Sequence, residues 1–211
     1  AAGIGGRKYD TQNGPTGDLA DSFNFDKTVE DFKAGEYSAV FASPECGPFS
    51  KLHNLPGPGG PPLTTATGPE RYGRKDLAPI IHERVRAQIL VCVRVAKILK
   101  LCTEMRIPFL FETAGFHEGQ TSVFNLDEYV ANRNNPDVQH TRGVQCPFGA
   151  LSSKSTSWLH YLVNMSDMPD GCPHPLRNWY SDKDNTMIIS RHPRTCGKIT
   201  YSRTMRTAEQ L

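Results

Sequence analysis

Two short apolar runs separated by one long amphipathic stretch constrain this chain more than any other feature. Residues 36–43 (EYSAVFAS) are bounded by Gly35 and Pro44, and residues 107–115 (IPFLFETAG) end in an acid and a glycine. Both have the length and the β-branched and aromatic content of strands buried on two faces, as in a parallel sheet. Between them, from Asp76 to about Arg106, Ile80, Ile81, Val85, Ile89, Val93, Ala96, Ile98 and Leu101 recur at helical spacing, with Arg84, Arg86, Arg94, Lys97 and Lys100 interleaved. Strand, loop, long helix, strand is a βαβ unit, and its crossover makes the two strands parallel. The segment FNFDKTVEDF, with Phe25, Val29 and Phe32, predicts a short helix ahead of the first strand. The expected fold class is therefore α/β with a parallel sheet.

Functional side chains of such sheets gather at the carboxyl ends of the strands. Cys46 follows the first strand and Glu112 closes the second, so the two are expected at one edge. A thiolate can add to an electron-poor ring carbon, and a carboxylic acid can protonate the ring nitrogen that gathers the charge. That pair suits activation of a pyrimidine, whereas a buried structural thiol and a turn-capping carboxylate are the plainer readings of the same residues. The Pro- and Gly-rich stretch 51–75 has the composition of a lid or binding loop, or of a surface insertion.

The net charge of +2 and the pI near 8.3 leave no bulk field to attract a polyanion, so a basic surface would have to be local. Arg177, Arg191, Arg194, Lys198, Arg203 and Arg206 lie among Trp179, Tyr180 and Tyr201, a mixture that suits phosphate contact and base stacking as well as an ordinary solvated face. No uninterrupted apolar run of membrane-spanning length and no signal-peptide pattern is present, so a protein of the cell interior is expected, in nucleus or cytoplasm, with its six cysteines reduced. Cys172-x-His174 and His192-x3-Cys196 form two close pairs of soft or borderline ligands, which could surround a zinc ion, and Cys146 could replace any one of the four. Residues 1–116 are expected to form the α/β core, and residues 117–211 a smaller, loop-rich elaboration for target recognition or metal binding.

Several of these segments resemble those of DNA cytosine-5 methyltransferases. S-P-E-C-G-P-F-S (43–50) resembles the family's Pro-Cys-Gln-x-Phe-Ser motif, and F-E-T (111–113) its Glu-Asn-Val motif. A-G-I-G-G (2–6) is similar to the glycine-rich S-adenosylmethionine loop, G-D (17–18) to the segment near the adenine, and Q-H-T-R-G (139–143) shares fragments of the Gln-x-Arg-x-Arg motif. The tail, from QCPFGALSSKSTSWL onward, resembles methyltransferase-like domains of phages and mobile elements. The resemblance implies a Rossmann-like class I methyltransferase fold acting on DNA, with RNA as the other possible substrate. It implies Cys46 as nucleophile toward C6 of cytosine and Glu112 as the group engaging N3. Gly3, Gly5, Gly6, Asp18 and Pro44 would contact the cofactor, and Ser50, Thr113, Arg142 and Lys154 the substrate. Glu45 stands where the family keeps proline, and its carboxylate works against ionisation of the neighbouring thiol. Two other readings are a nucleic-acid-binding or scaffold domain that has lost catalysis, and an exocyclic amino methyltransferase, whose Pro-Pro-aromatic loop S-P-E-C matches poorly.

Overall fold

In a computed structural model the described residues are 6–7, 9, 14–49, 62–148, 155–169, 171–181, 186–190 and 205–207. Among the described residues three α-helices are formed, α1 (Ser22–Lys33), α2 (Pro79–Met105) and α3 (Asp127–Arg133), together with two sheets. The larger sheet contains β1 (Val40–Ala42), β2 (Phe109–Ala114), β3 (Gln139–Val144) and β4 (Ser155–Tyr161) in the order β1-β2-β4-β3. β1 and β2 are parallel, joined through α2, whereas β4 runs antiparallel to both β2 and β3. The chain is thus α/β with a partly parallel sheet. A second sheet of β5 (Arg177–Ser181), β6 (Thr186–Ser190) and β7 (Met205–Thr207) is antiparallel, with β5 in the middle.

Local chemistry sets the helix ends. Asp21 caps α1 by accepting from the Asn24 amide at 3.0 Å, which satisfies one of the free N–H groups of the first turn. Pro79 opens α2, where its missing N–H costs nothing. α2 ends on Arg106 in the left-handed conformation (φ 57°), with the Ile107 amide reaching back to the Cys102 carbonyl at 2.8 Å.

The apolar stripe of α2 runs through Val85, Ile89, Cys92, Ala96 and Leu99, all buried. It lies on one face of the sheet with Phe109 and Phe111 of β2, Leu159 and Tyr161 of β4, and Phe124, Leu126 and Tyr129 from the turn into α3. Two buried polar groups tie α3 to α2 by finding backbone partners there. The Tyr129 hydroxyl donates to the Cys92 carbonyl at 3.0 Å, and the Asn132 amide donates to the Ala96 carbonyl at 2.9 Å.

Three expectations are corrected here. β1 is shorter than the run 36–43 and is not buried on both faces, because it is the edge strand of the described sheet and Phe41 stands 66% exposed. Ile80 and Ile81 do not join the core, since the first turn of α2 precedes the buried stripe. Arg94 is not on the solvated face: it is buried at 8% exposure, with its guanidinium donating to the Leu19 carbonyl (2.6 Å) and the Ser22 hydroxyl (2.7 Å) and lying over the Phe25 ring. Beyond residue 116, α3, β3 and β4 contribute to the same core and sheet as β1 and β2.

His140 on β3 sets a pH limit on stability. Its ring packs against Phe116 and Phe124, and burial, with the nearby charges of Arg133 and Arg142 and the His160 ring, lowers its pKa from 6.5 to about 4. The folded state prefers the neutral ring, so between these pH values the unfolded chain binds more protons. Stability is expected to be fully present above pH 6.5 and to fall as the pH drops toward about 4. Denaturant titrations across this range should show the decline, and His140→Phe should flatten it.

Candidate functional site

The candidate site is built at the carboxyl end of the parallel pair. The register pairs Val40 with Phe109 and Ala42 with Phe111, so Glu112 is the first β2 residue past the parallel pairing and Cys46 lies in the turn that follows β1. That turn is anchored. Residues Gly47–Phe49 form a single 3-10 turn in which the Phe49 amide donates to the Cys46 carbonyl at 3.0 Å, and Pro48 and Phe49 are buried. The buried Thr64 hydroxyl donates to the Pro48 carbonyl at 3.1 Å, which ties the turn to the far side of the Pro- and Gly-rich stretch.

Within that stretch, residues 62–75 are docked to the body. Pro69–Tyr72 is a 3-10 turn, Arg71 pairs with Asp127 at 2.8 Å, and the Tyr72 hydroxyl accepts from the Asp127 amide at 3.0 Å. Of the stretch 51–75, expected to be a lid, a binding loop or a surface insertion, residues 51–61 lie outside the described residues.

Cys46 is half-buried with a free thiol. The neighbouring Cys92 thiol is buried in α2, at 4.0 Å from the Glu45 carbonyl. Burial, with the proximity of Cys46, pushes the Cys92 pKa up to about 12, so Cys92 stays a neutral thiol. Glu45 itself is exposed, and its carboxylate and the Gln88 side chain both lie close to the open side of Gly47, where a Cβ would meet them at 3.5 and 3.6 Å.

Beside this turn opens a cleft of about 560 Å³, lined among others by Tyr9, Asp18, Pro44, Glu45 and Gln88. Its volume falls within the range of small-molecule sites, roughly 300–1,000 Å³. One wall is the segment 14–21, held in place by Arg94 through Leu19 and by the Asn24 amide, which donates to the carbonyls of Pro15 (2.7 Å) and Asp18 (3.1 Å). The Asp18 carboxylate accepts from the Ala20 amide at 2.7 Å, which orients it within the turn. Two residues separated by 26 positions, Asp18 and Pro44, thus face one cavity, with Cys46 two residues beyond the second.

Glu112 shares the sheet face of Trp158 and Thr141, its neighbours across β4 and β3, and it accepts from the Gln145 side-chain amide at 3.0 Å. Thr113 points to the opposite face and is buried, in one row with Ser157 and Arg142. Arg142 is exposed and lies over the Phe116 ring. Gly6 is exposed, with open space around its α-carbon. Gly3, Gly5, Ser50, Lys154, His192 and Cys196 lie outside the described residues.

Cys172 and His174 come together, and the third member of their group is Cys146, directly after the residue that follows β3. The ligand atoms of the three lie within 4.8 Å of one another, close enough to hold a metal ion. Burial and the adjoining Cys172 thiol raise the pKa of Cys146.

Sequence reasoning missed Gln145 and Gln88, because a lone glutamine carries no pattern, and Arg94, whose burial is concealed by the charged residues around it. Among the described residues no helix is long and apolar enough to cross a membrane. No protein-family model, curated protein or solved structure matches the chain.

Proposed function

We propose that this chain is a Rossmann-like, class I methyltransferase domain that transfers a methyl group from S-adenosylmethionine to C5 of cytosine in DNA. The observation that supports the reading is the parallel β1–β2 pair, whose register sets the turn holding Cys46 and residue Glu112 at the same end of the pair, with a cleft lined by Asp18, Pro44 and Glu45 opening beside the Cys46 turn. The cleft suits the cofactor in size. The carboxylates of Asp18 and Glu45 on its walls suit hydroxyl and amine donors and a cationic sulfonium centre.

The Cys46 thiolate attacks C6 of the cytosine. The C–S bond forms while the C5–C6 π pair moves to C5, and Glu112, held by Gln145, engages N3, where the charge gathers. Bound S-adenosylmethionine would supply the electrophilic methyl group that C5 takes up, its S–CH3 bond breaking to leave S-adenosylhomocysteine. Loss of the C5 proton to solvent water then restores the C5–C6 double bond and expels the Cys46 thiolate. Chemistry at C6 requires the base to leave its stack, at a cost of a few kcal/mol. Arg142, exposed within β3, would contribute to holding the nucleic acid.

The test uses a duplex with 5-fluorocytosine, whose C5 fluorine cannot depart as a proton. With cofactor present, a covalent protein–DNA adduct that maps to Cys46 is expected. DNA binding without adduct would point to a domain that has lost catalysis. Methylation that survives loss of the thiol would point to transfer onto the exocyclic amine.

A further inference from the structure

The group Cys146, Cys172 and His174 has the geometry of a three-ligand metal site rather than of three incidental neighbours. The Cys172 Sγ and His174 Nδ1 are 3.4 Å apart, and all three ligand atoms fall within 4.8 Å. Around a tetrahedral zinc ion with Zn–S about 2.3 Å and Zn–N about 2.0 Å, neighbouring ligands stand roughly 3.5–3.8 Å apart, so an ion fits with small side-chain shifts. Two thiols and an imidazole, with no carboxylate in the group, favour zinc over magnesium or calcium.

The fold also builds the approach that brings these residues together. The chain after β4 returns across the end of β3, where the Val144 amide donates to the Pro169 carbonyl at 3.4 Å. Gly143 makes the close pass possible: a Cβ there would stand 2.7 Å from Met168 Cγ and 2.9 Å from the Pro169 carbonyl oxygen. Cys172 follows three residues later and meets Cys146, which begins the turn Cys146–Phe148.

We propose that Cys146, Cys172 and His174 bind a zinc ion that staples the segment following β4 to the end of β3. Binding displaces the two thiol protons and leaves both sulfurs as thiolates on the metal. Three protein ligands leave one position of the tetrahedron for a further ligand. Cys146 is adjacent to Gln145, so the staple also steadies the amide that bonds to Glu112. The site is independent of the methyl-transfer reading.

The full chain, purified reduced and without chelator, is expected to retain about one zinc per molecule by elemental mass spectrometry. Replacement by cobalt should produce thiolate-to-metal charge-transfer absorption, and chelation should lower the melting temperature. Cys146 is buried and its loss could prevent folding, so the decisive variants are Cys172→Ser and His174→Ala at the more exposed ligands. Each should fold by circular dichroism, lose zinc, and lose the thermal response to chelator. Folded wild-type chain that takes up neither zinc nor cobalt would overturn the proposal. So would metal uptake unchanged in both variants, or a Cys146–Cys172 disulfide in the reduced preparation.

Discussion

Replacing Cys46 by serine is expected to abolish the 5-fluorocytosine adduct and to lower methyl transfer by roughly a thousandfold or more, since a hydroxyl is a far weaker nucleophile than a thiolate and loss of a covalent nucleophile has effects of this size or greater. The folded state should be little changed, because Cys46 is half-buried in a turn fixed by other contacts, the Phe49 amide to the Cys46 backbone carbonyl and Thr64 to Pro48. Gel-shift assays under denaturing conditions measure the adduct, and transfer of labelled methyl groups measures the rate. An adduct of undiminished yield in the serine variant would remove Cys46 from the mechanism.

The largest stability effect is expected at Phe111. Its side chain is fully buried between α2 and the sheet, with ring centroids 5.9 Å from Phe124 and 4.9 Å from Tyr129. Phe111→Ala removes that packing and leaves a cavity that the rigid β2–β4 pairing cannot close, at a cost of about 3–5 kcal/mol. For a chain of this length the melting temperature should fall by roughly 10 °C. Phe111 is the last residue of β2 in register with β1 and immediately precedes Glu112, so the cavity adjoins the strand segment that carries the candidate site. Denaturant unfolding should therefore show the loss together with weaker ligand binding.

The parallel unit was legible in the sequence because its signals are local. The helical spacing that includes Val85, Ile89, Ala96 and Ile98, all buried, and the apolar run at Phe109–Phe111 need no distant partner to be recognised. The placement of β4 between β2 and β3 was not, since pairings such as Glu112 with Trp158 join residues far apart in sequence and no periodicity specifies them. The burial of β4 on both faces follows from its central place in the sheet. Arg94 misled because a guanidinium can be buried when backbone carbonyls and a hydroxyl take up its donors, as Leu19 and Ser22 do here. At the candidate site, motif similarity pointed to Asp18 and Pro44, and the structure sets both on one cleft. It could not point to Gln88 or Tyr9, which reach that cleft through tertiary packing alone. In the group that could hold a metal, ligand spacing named Cys172 and His174, with Cys146 as a possible replacement, and the return of the chain over β3 is what brings Cys146 to them.

The central claim is that the cleft beside Cys46 is a cofactor site, and calorimetric titration of the folded full chain with S-adenosylhomocysteine tests it most directly. The account predicts a saturable heat of binding with about one site per chain, and an affinity reduced roughly tenfold, or 1.4 kcal/mol, by Asp18→Ala. The absence of any binding heat with folded protein, or binding that Asp18→Ala leaves unchanged, would contradict it.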